Sequence, residues 1–359
     1  MFVKNFILIL ICLIPFNSAF ATIEIMKIGS NLSHPWGISF LDNNNVIITE
    51  RGGHLSIINL KTGKLSKINN TPKVFNVGQG GLLDVHVERL DGKINIYLCY
   101  SKFDPPIKSY TILEKSVLKE NSLNDNKIIF STKVSSGLPI HYGCRIAISE
   151  HHIYLSLGDR GQRHKAQNPK FYEGSIIRLN LNNDKVNKNP YNSKWLTEIF
   201  SMGHRNPQGL TINQIDQKIW SHEHGPQGGD EINIIEGGEN YGWPKVTQGE
   251  EYGGGEIGEN SLPEFKDPIW VWTPSIAPSG MVFYNGKMFP ELNNHLLVGS
   301  LKFKQIYALE IRDNKPTNEV KILIQNYGRI RDIEIMSDGS ILFITDENEG
   351  GLYRIYKKQ

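Results

Sequence analysis

Short apolar runs of alternating or continuous hydrophobicity, each bounded by Gly, Asn, Asp or Pro, recur along the whole chain after its first two dozen residues. Long 3.6-residue periodicities with helix caps are absent, so the pattern predicts strands and turns. The runs repeat in one order: an apolar strand, a turn, a second strand ending in a polar or acidic residue, a Gly-containing turn and a third strand. WGISFLDNNNVIITERGGHLSIINL begins this order at Trp36, GLLDVHVERLDGKINIYLCY at Gly81 and CRIAISEHHIYLSLGDRG with GSIIRLNL at Cys144. QGLTINQIDQKIWSHEHGPQGGDEINII follows from Gln208, SGMVFYNG with NHLLVGSLKFKQIYALEI from Ser279, and RDIEIMSDGSILFITDENEGGLYRI from Arg331. Six strand-rich modules at intervals of tens of residues, with insertions between strands, predict an all-β six-bladed β-propeller. A β-sandwich with a second domain would need a linker or a composition shift, and none divides the chain. The strand TIEIMKIG from Thr22 is placed to complete the last blade and close the ring, so residues 22–359 are read as one domain.

The first 21 residues follow another pattern. Lys4, an apolar run from Phe6 to Pro15, and Ala19 and Ala21 in A-x-A spacing read as a secretory signal peptide cut after Ala21. The run is shorter than the roughly 20 residues a spanning helix needs. Ile11 ahead of Cys12 argues against a lipoprotein anchor. The expectation is a periplasmic or secreted protein with no membrane insertion after cleavage. Cys99 and Cys144 then lie in an oxidising compartment, where they can pair, or leave Cys144 as a reactive thiol.

Charge changes the picture by exclusion. The 39 Lys and Arg balance 37 Asp and Glu for a net charge of +2, spread along the chain, which excludes an electrostatic nucleic-acid binder. Three cysteines, one in the leader, cannot build a Cys-held zinc module, so a metal would need oxygen or imidazole ligands. No dinucleotide loop, P-loop or nucleophile elbow is present.

Four local constellations carry candidate chemistry. HYGCR puts His141 before a tight turn and a strand, where an imidazole can serve as a base; a lone loop histidine is more often merely solvated. MGHRNPQGL gathers Arg205, Asn206 and Gln208 around Pro207, donors suited to an anion or a carbonyl. SHEHGPQGGDEINIIEGGENYGWP offers the Gly225 and Pro226 carbonyls with Asp230, Glu231, Glu236 and Glu239, an oxygen set that favours calcium without EF-hand order. His204, His222 and His224 lack the H-E-x-x-H spacing of a zinc helix. Lys302 in GSLKFK and Arg329 and Arg331 in GRIRD form a cationic set. The two arginines, two apart on a predicted strand, project from one face, which is unfavourable unless an anion sits between them.

GQGGLL, LPIHYGCRI, MGHRNPQGL, HGPQGGDEIN with NYGWP, SGMVFYNG, VGSLKFK and GRIRDIE occur in colinear order over essentially the whole mature chain. Together they resemble the soluble quinoprotein sugar dehydrogenases, the glucose/sorbosone dehydrogenase family that uses pyrroloquinoline quinone (PQQ), most closely its aldose sugar dehydrogenase branch. The resemblance implies oxidation of an aldose at its anomeric carbon to a lactone, with electrons passed to an external quinone, cytochrome or dye, by a monomer or homodimer. His141 would take the C1 hydroxyl proton as hydride passes to PQQ, and Gln79 and Arg205 would flank the quinone. Asn206, Tyr252, Ser300, Leu301, Lys302, Arg329, Ile330 and Arg331 would complete the cofactor site. Gly225 and Pro226 would hold Ca²⁺ beside the quinone, and Glu231 and Tyr241 a second, structural Ca²⁺. One departure stands out: Ile140 occupies the position where the glucose enzymes carry an aspartate before the catalytic histidine, so another group must orient His141. A calcium-dependent lactonase leaves the converging cations unexplained. A non-catalytic interaction propeller shares the fold and is separated only by chemistry.

Overall fold

The computed structural model describes residues 22–105, 108–132, 138–182, 186–322 and 327–358. The leader read from residues 1–21, Cys12 included, lies outside them. Six four-stranded antiparallel sheets are arranged as a six-bladed propeller. Blade 1 comprises Pro35–Asp42, Asn45–Glu50, His54–Asn59 and Leu65–Lys67. Blade 2 comprises Leu82–Leu90, Lys93–Asp104, Lys108–Lys119 and Ser122–Ser131. Blade 3 comprises Gly143–Ile148, His152–Leu157, Ser175–Asn180 and Ile199–Met202, and blade 4 Pro207–Ile212, Ile219–Glu223, Asp230–Ile235 and Trp270–Trp272. Blade 5 comprises Pro278–Tyr284, His295–Ser300, Ile306–Arg312 and Lys315–Ile322. Ile330–Ile335, Ile341–Thr345 and Gly350–Lys358 form blade 6, and Thr22–Leu32 is its outer strand, with Thr22 opposite Lys358 and Ile25 opposite Ile355. Closure by the Thr22 strand is therefore as expected, and every inner strand begins within one residue of its sequence module.

The apolar runs read as they do because both faces of each blade are covered. Six separate core clusters lie between neighbouring blades. Ile47, Leu98 and Ile112 fill the seam of blades 1 and 2, and Leu342, Ile344 and Ile48 fill that of blades 6 and 1. Strands such as HLLVGS are buried at every position, so period-2 alternation gives way to continuous hydrophobicity. Cys99 of blade 2 and Cys144 of blade 3 form a disulfide in one such seam, Cα atoms 5.7 Å apart and both fully buried. The alternative of a reactive Cys144 thiol is thus corrected.

The inner strands pack against one another around the axis, and one buried side chain ties them together. Arg145, on the inner strand of blade 3, donates from Nη1 to Asp332 of blade 6 at 2.8 Å and to Asp84 of blade 2 at 3.2 Å. Its Nε donates to the Gln208 carbonyl of blade 4 at 2.8 Å, and Nη2 to the Arg331 carbonyl at 3.0 Å. The two carboxylates accept further backbone N–H groups, from Ile146 at 2.8 Å and from Ile38 of blade 1 at 3.1 Å. Ser279 of blade 5 donates to the Ile330 carbonyl at 2.7 Å and brings in the sixth blade. The guanidinium also lies 4.1 Å from the Trp36 ring centre.

Burial pushes the Asp84 carboxyl up to about 7, a rise that Arg145 only partly offsets and Asp332 reinforces. Arg145→Met is expected to cost roughly 3–5 kcal/mol in urea unfolding, because it strands two buried carboxylates. Acids whose folded pKa is raised are cheap to bury when protonated and costly when ionised. The loss should therefore be larger at about pH 8 than at about pH 5.

Candidate active site

At one end of the axis the inner strands and the turns before them surround a cavity of about 290 Å³. Trp36 and Arg51 line it from blade 1, Tyr142 and Gly143 from blade 3, Asn206 and Gln208 from blade 4, and Arg329, Arg331 and Asp346 from blade 6. Leu83 of blade 2, with Gln79, His224, Ala277 and Leu301 at strand ends and loops, completes the wall.

His141 stands on the turn that enters blade 3, held from three sides. Its backbone is in the left-handed region at φ +50°, uncommon for a residue with a side chain. Its N–H donates to Gln79 Oε1 at 2.7 Å. Arg160, stacked on Tyr142 at 3.7 Å, donates to the Ile140 carbonyl at 2.9 Å and the Leu138 carbonyl at 3.0 Å. Gly158 passes so close that a Cβ there would lie 2.1 Å from the His141 carbonyl oxygen, so no larger residue fits. The imidazole is mostly enclosed, with 13% of the side chain exposed, deeper than a solvated rim position.

The group that orients it is Asp159. Its Oδ1 is 2.7 Å from His141 Nδ1 and accepts the Gly161 N–H at 2.8 Å, while Oδ2 accepts the Trp243 indole N–H at 2.8 Å. Burial opposes the Asp159 charge, but the hydrogen bonds from His141, Gly161 and Trp243 outweigh it and hold the carboxyl below its usual range. Ionised Asp159 accepts from Nδ1, which leaves the Nε2 lone pair free to take a proton. Burial pushes the imidazole below its ordinary pKa, helped by Arg205 and resisted by Asp159, so it is neutral at neutral pH. The carboxylate missing at Ile140 thus arrives from the far end of the next strand, in SLGDRG. The acidic end of each module's second strand was the available signal for it.

Arg205 donates to the His224 carbonyl at 2.9 Å and lies over the Trp243 ring at 5.4 Å, with the exposed Tyr252 hydroxyl 3.5 Å away. Its backbone N–H and that of Asn206 both donate to Glu223. Asn206 Oδ1 faces the Gly143 N–H at 3.3 Å.

The cations are partnered unequally. Arg331 is buried and paired with Asp346, which also binds His34 at 2.8 Å, yet Arg331 Nε has no partner. Asp346 is thus one anion beside Arg331 and answers part of its charge. Arg329 immediately precedes the strand, whose pairing register shifts between Ile330 and Asp332. Both arginines still line the cavity. Lys302 is exposed next to Leu301. Ser300 donates to the Ile276 carbonyl at 2.6 Å and is fully buried, and Ile330 lies in the core between blades 5 and 6.

The oxygen-rich loop does not converge as one acidic cluster. Asp230 accepts N–H groups from Gly225 at 2.9 Å and Ala277 at 2.8 Å, so it builds the turn. Glu236 and Glu239 face Lys266 at 3.1 and 3.8 Å. What remains are the buried Gly225 and Pro226 carbonyls, which accept no hydrogen bond among the described residues. Gly225 is packed so tightly that a Cβ would lie 2.2 Å from the Gly228 carbonyl oxygen. Glu231 stands directly across the sheet from Glu223, and its carboxyl is pushed up to about 8 by burial and by Glu223. The Tyr241 hydroxyl is committed to the Ile234 carbonyl at 2.6 Å and the Glu236 N–H at 2.9 Å, and its backbone carbonyl accepts no hydrogen bond among the described residues. His204 pairs with Glu223 at 2.9 Å and His224 with the Pro278 carbonyl at 2.6 Å, so the three histidines do not share a centre. Among the described residues no three His, Cys, Asp or Glu side chains gather as a metal cluster.

A carboxylate-oriented neutral histidine beside an arginine-rich cavity agrees with what comparison finds. The glucose/sorbosone dehydrogenase family model matches residues 32–354. The chain belongs to that family. It is 34% identical over 345 residues, 93% of each chain, to the aldose sugar dehydrogenase YliI of Escherichia coli (strain K12). It is 25% identical over 410 residues to the quinoprotein glucose dehydrogenase B of Acinetobacter calcoaceticus, covering 90% of this chain and 85% of that one. The apo-form crystal structure of the soluble aldose sugar dehydrogenase from Escherichia coli superposes with a TM-score of 0.89 at 33% identity, over 94% of this chain and all of that one.

Within this family member the imidazole–carboxylate pair makes a titration prediction. The NMR midpoint of His141 should lie below 6.5, and Asp159→Asn should lower it further, because Asp159 favours the protonated ring. A midpoint that rises in the variant contradicts the assignment.

Proposed function

We propose that this sugar oxidoreductase is a PQQ- and Ca²⁺-dependent aldose dehydrogenase, exported to the periplasm, that oxidises the anomeric carbon to a lactone and passes electrons to an external acceptor. The observation that carries this reading is the cavity itself. Arginines from two blades, Arg51, Arg329 and Arg331, line it next to an enclosed neutral histidine. A planar tricarboxylate suits such donors, since buried arginine N–H groups without acceptors are unfavourable and Arg–carboxylate pairs are short and strong.

The residues that would hold PQQ are Arg329 and Arg331 with Lys302 for its carboxylates, and Gln79, Asn206, Leu301 and Arg205 around its ring, with Ser300, Ile330 and Tyr252 adjoining. PQQ, when bound, supplies a two-electron acceptor for the hydride of the sugar. Ca²⁺ suits the free Gly225 and Pro226 carbonyls, where it supplies Lewis acidity. A second Ca²⁺ suits Glu231, whose carboxylate faces Glu223 across the sheet, with the Tyr241 carbonyl. The chain's own chemistry centres on His141. Asp159 fixes the ring so that Nε2 accepts the proton of the sugar C1 hydroxyl, and stabilises the imidazolium that results. Arg205, fixed by Glu223 through its backbone and by the His224 carbonyl through its side chain, presents positive charge where negative charge develops. Export rests on the leader sequence. Among the described residues no helix is long and apolar enough to cross a membrane.

Purified apoprotein reconstituted with PQQ and Ca²⁺ should reduce a redox dye on addition of aldoses. His141→Ala should bind PQQ within about threefold of the parent while losing turnover by roughly 10²–10⁴-fold. Activity within a few-fold of the parent removes the proton-acceptor role, and a folded parent that neither binds PQQ nor reduces dye removes the dehydrogenase reading.

A further inference from the structure

Arg51 lies outside the segments that carry the family resemblance. It follows the second strand of blade 1 in the run TERGG. Its backbone is pinned on both sides: its N–H donates to the His34 carbonyl at 3.1 Å, and its carbonyl accepts the Leu82 N–H at 3.0 Å. The side chain is therefore presented from a fixed base at the seam of blades 1 and 2.

Among the described residues, one of its side-chain nitrogens makes a hydrogen bond, Nη2 to the Gly78 carbonyl at 2.9 Å. Nε is buried and has no hydrogen-bond partner. Among the described residues no carboxylate pairs with this guanidinium. Arg145, Arg160 and Arg331, three further arginines around the axis, are each held by several protein acceptors or by a carboxylate. The Arg51 side chain lines the same cavity as Arg331, whose Nε is likewise buried without a partner. Two guanidinium groups with incomplete hydrogen bonding thus line one cavity from neighbouring blades 1 and 6. A partly buried guanidinium with unspent donors is a ready partner for an anionic acceptor.

Resting on the reading of this cavity as a PQQ site, we propose that Arg51 is a further cofactor-binding residue whose guanidinium pairs with a PQQ carboxylate from the blade 1 side. Its Nη2 simultaneously holds the Gly78 carbonyl. The next residue, Gln79, accepts the His141 N–H. One guanidinium therefore joins the anion to the loop that sets the position of His141.

The test is PQQ binding to apoprotein in the presence of Ca²⁺, followed by quenching of tryptophan fluorescence and by equilibrium dialysis, for the parent, Arg51→Met and Arg51→Lys. Arg51→Met should weaken PQQ binding about 10–100-fold, and Arg51→Lys, which keeps the charge without the guanidinium, should recover only part of that loss. The apoprotein melting temperature is measured alongside. If Arg51→Met binds PQQ within threefold of the parent, the inference fails while the PQQ reading stands, and a lowered melting temperature with unchanged affinity has the same meaning. If the parent itself does not bind PQQ, both fail. Should Arg51→Met not fold, parent-like affinity in Arg51→Lys overturns the guanidinium contact.

Discussion

The Arg145 guanidinium at the centre of the ring is the constraint on which the rest of the molecule depends. A propeller must bring six inner strands to a common axis, where their side chains crowd and water is scarce. Here a fixed fork of donors meets acceptors from blades 2, 4 and 6, and the two aspartates it binds take backbone N–H groups from blades 1 and 3. A buried ion pair of this kind is a weak source of net stability, because desolvation consumes much of the Coulomb gain. Its effect is geometric: the inner strands are held in register with one another, and the turns above them inherit that register.

The active site is built on those turns. Arg145 binds the carbonyls of Gln208 and Arg331, two residues that line the axial cavity. His141 and Arg205 enter their blades within a few residues of the same ring. The Cys99–Cys144 disulfide fixes the seam just below His141. A base and a set of cations contributed by separate blades can thus be held at fixed separations without any one loop carrying them all, which is what preorganised electrostatics requires.

The fold was legible because a blade imposes a repeat: each inner strand starts within one residue of a module recognised from its apolar run, and the lone strand at Thr22 had one edge left to complete. The histidine, the arginines and the carbonyl turn were legible as motifs. Their partners were not. Asp159 lies 18 positions from His141, and Asp346 lies 15 positions from Arg331, so neither pairing has a local signature. Asp230, Glu236 and Glu239 misled in the opposite direction. They are close in sequence, but an antiparallel strand and a turn send one into loop construction and two towards Lys266. The register shift beside the arginine pair is likewise invisible to sequence periodicity, although both arginines line the one cavity.

The central claim is that the cavity at the axis is a tricarboxylate site facing a carboxylate-oriented base. A crystal structure of the protein soaked with PQQ and Ca²⁺ tests it most directly. The account predicts density for PQQ within the cavity, carboxylates on the guanidinium groups of Arg51, Arg329 and Arg331, and the quinone edge towards Arg205 and His141. PQQ seated elsewhere, or with its carboxylates turned away from those arginines, would contradict it.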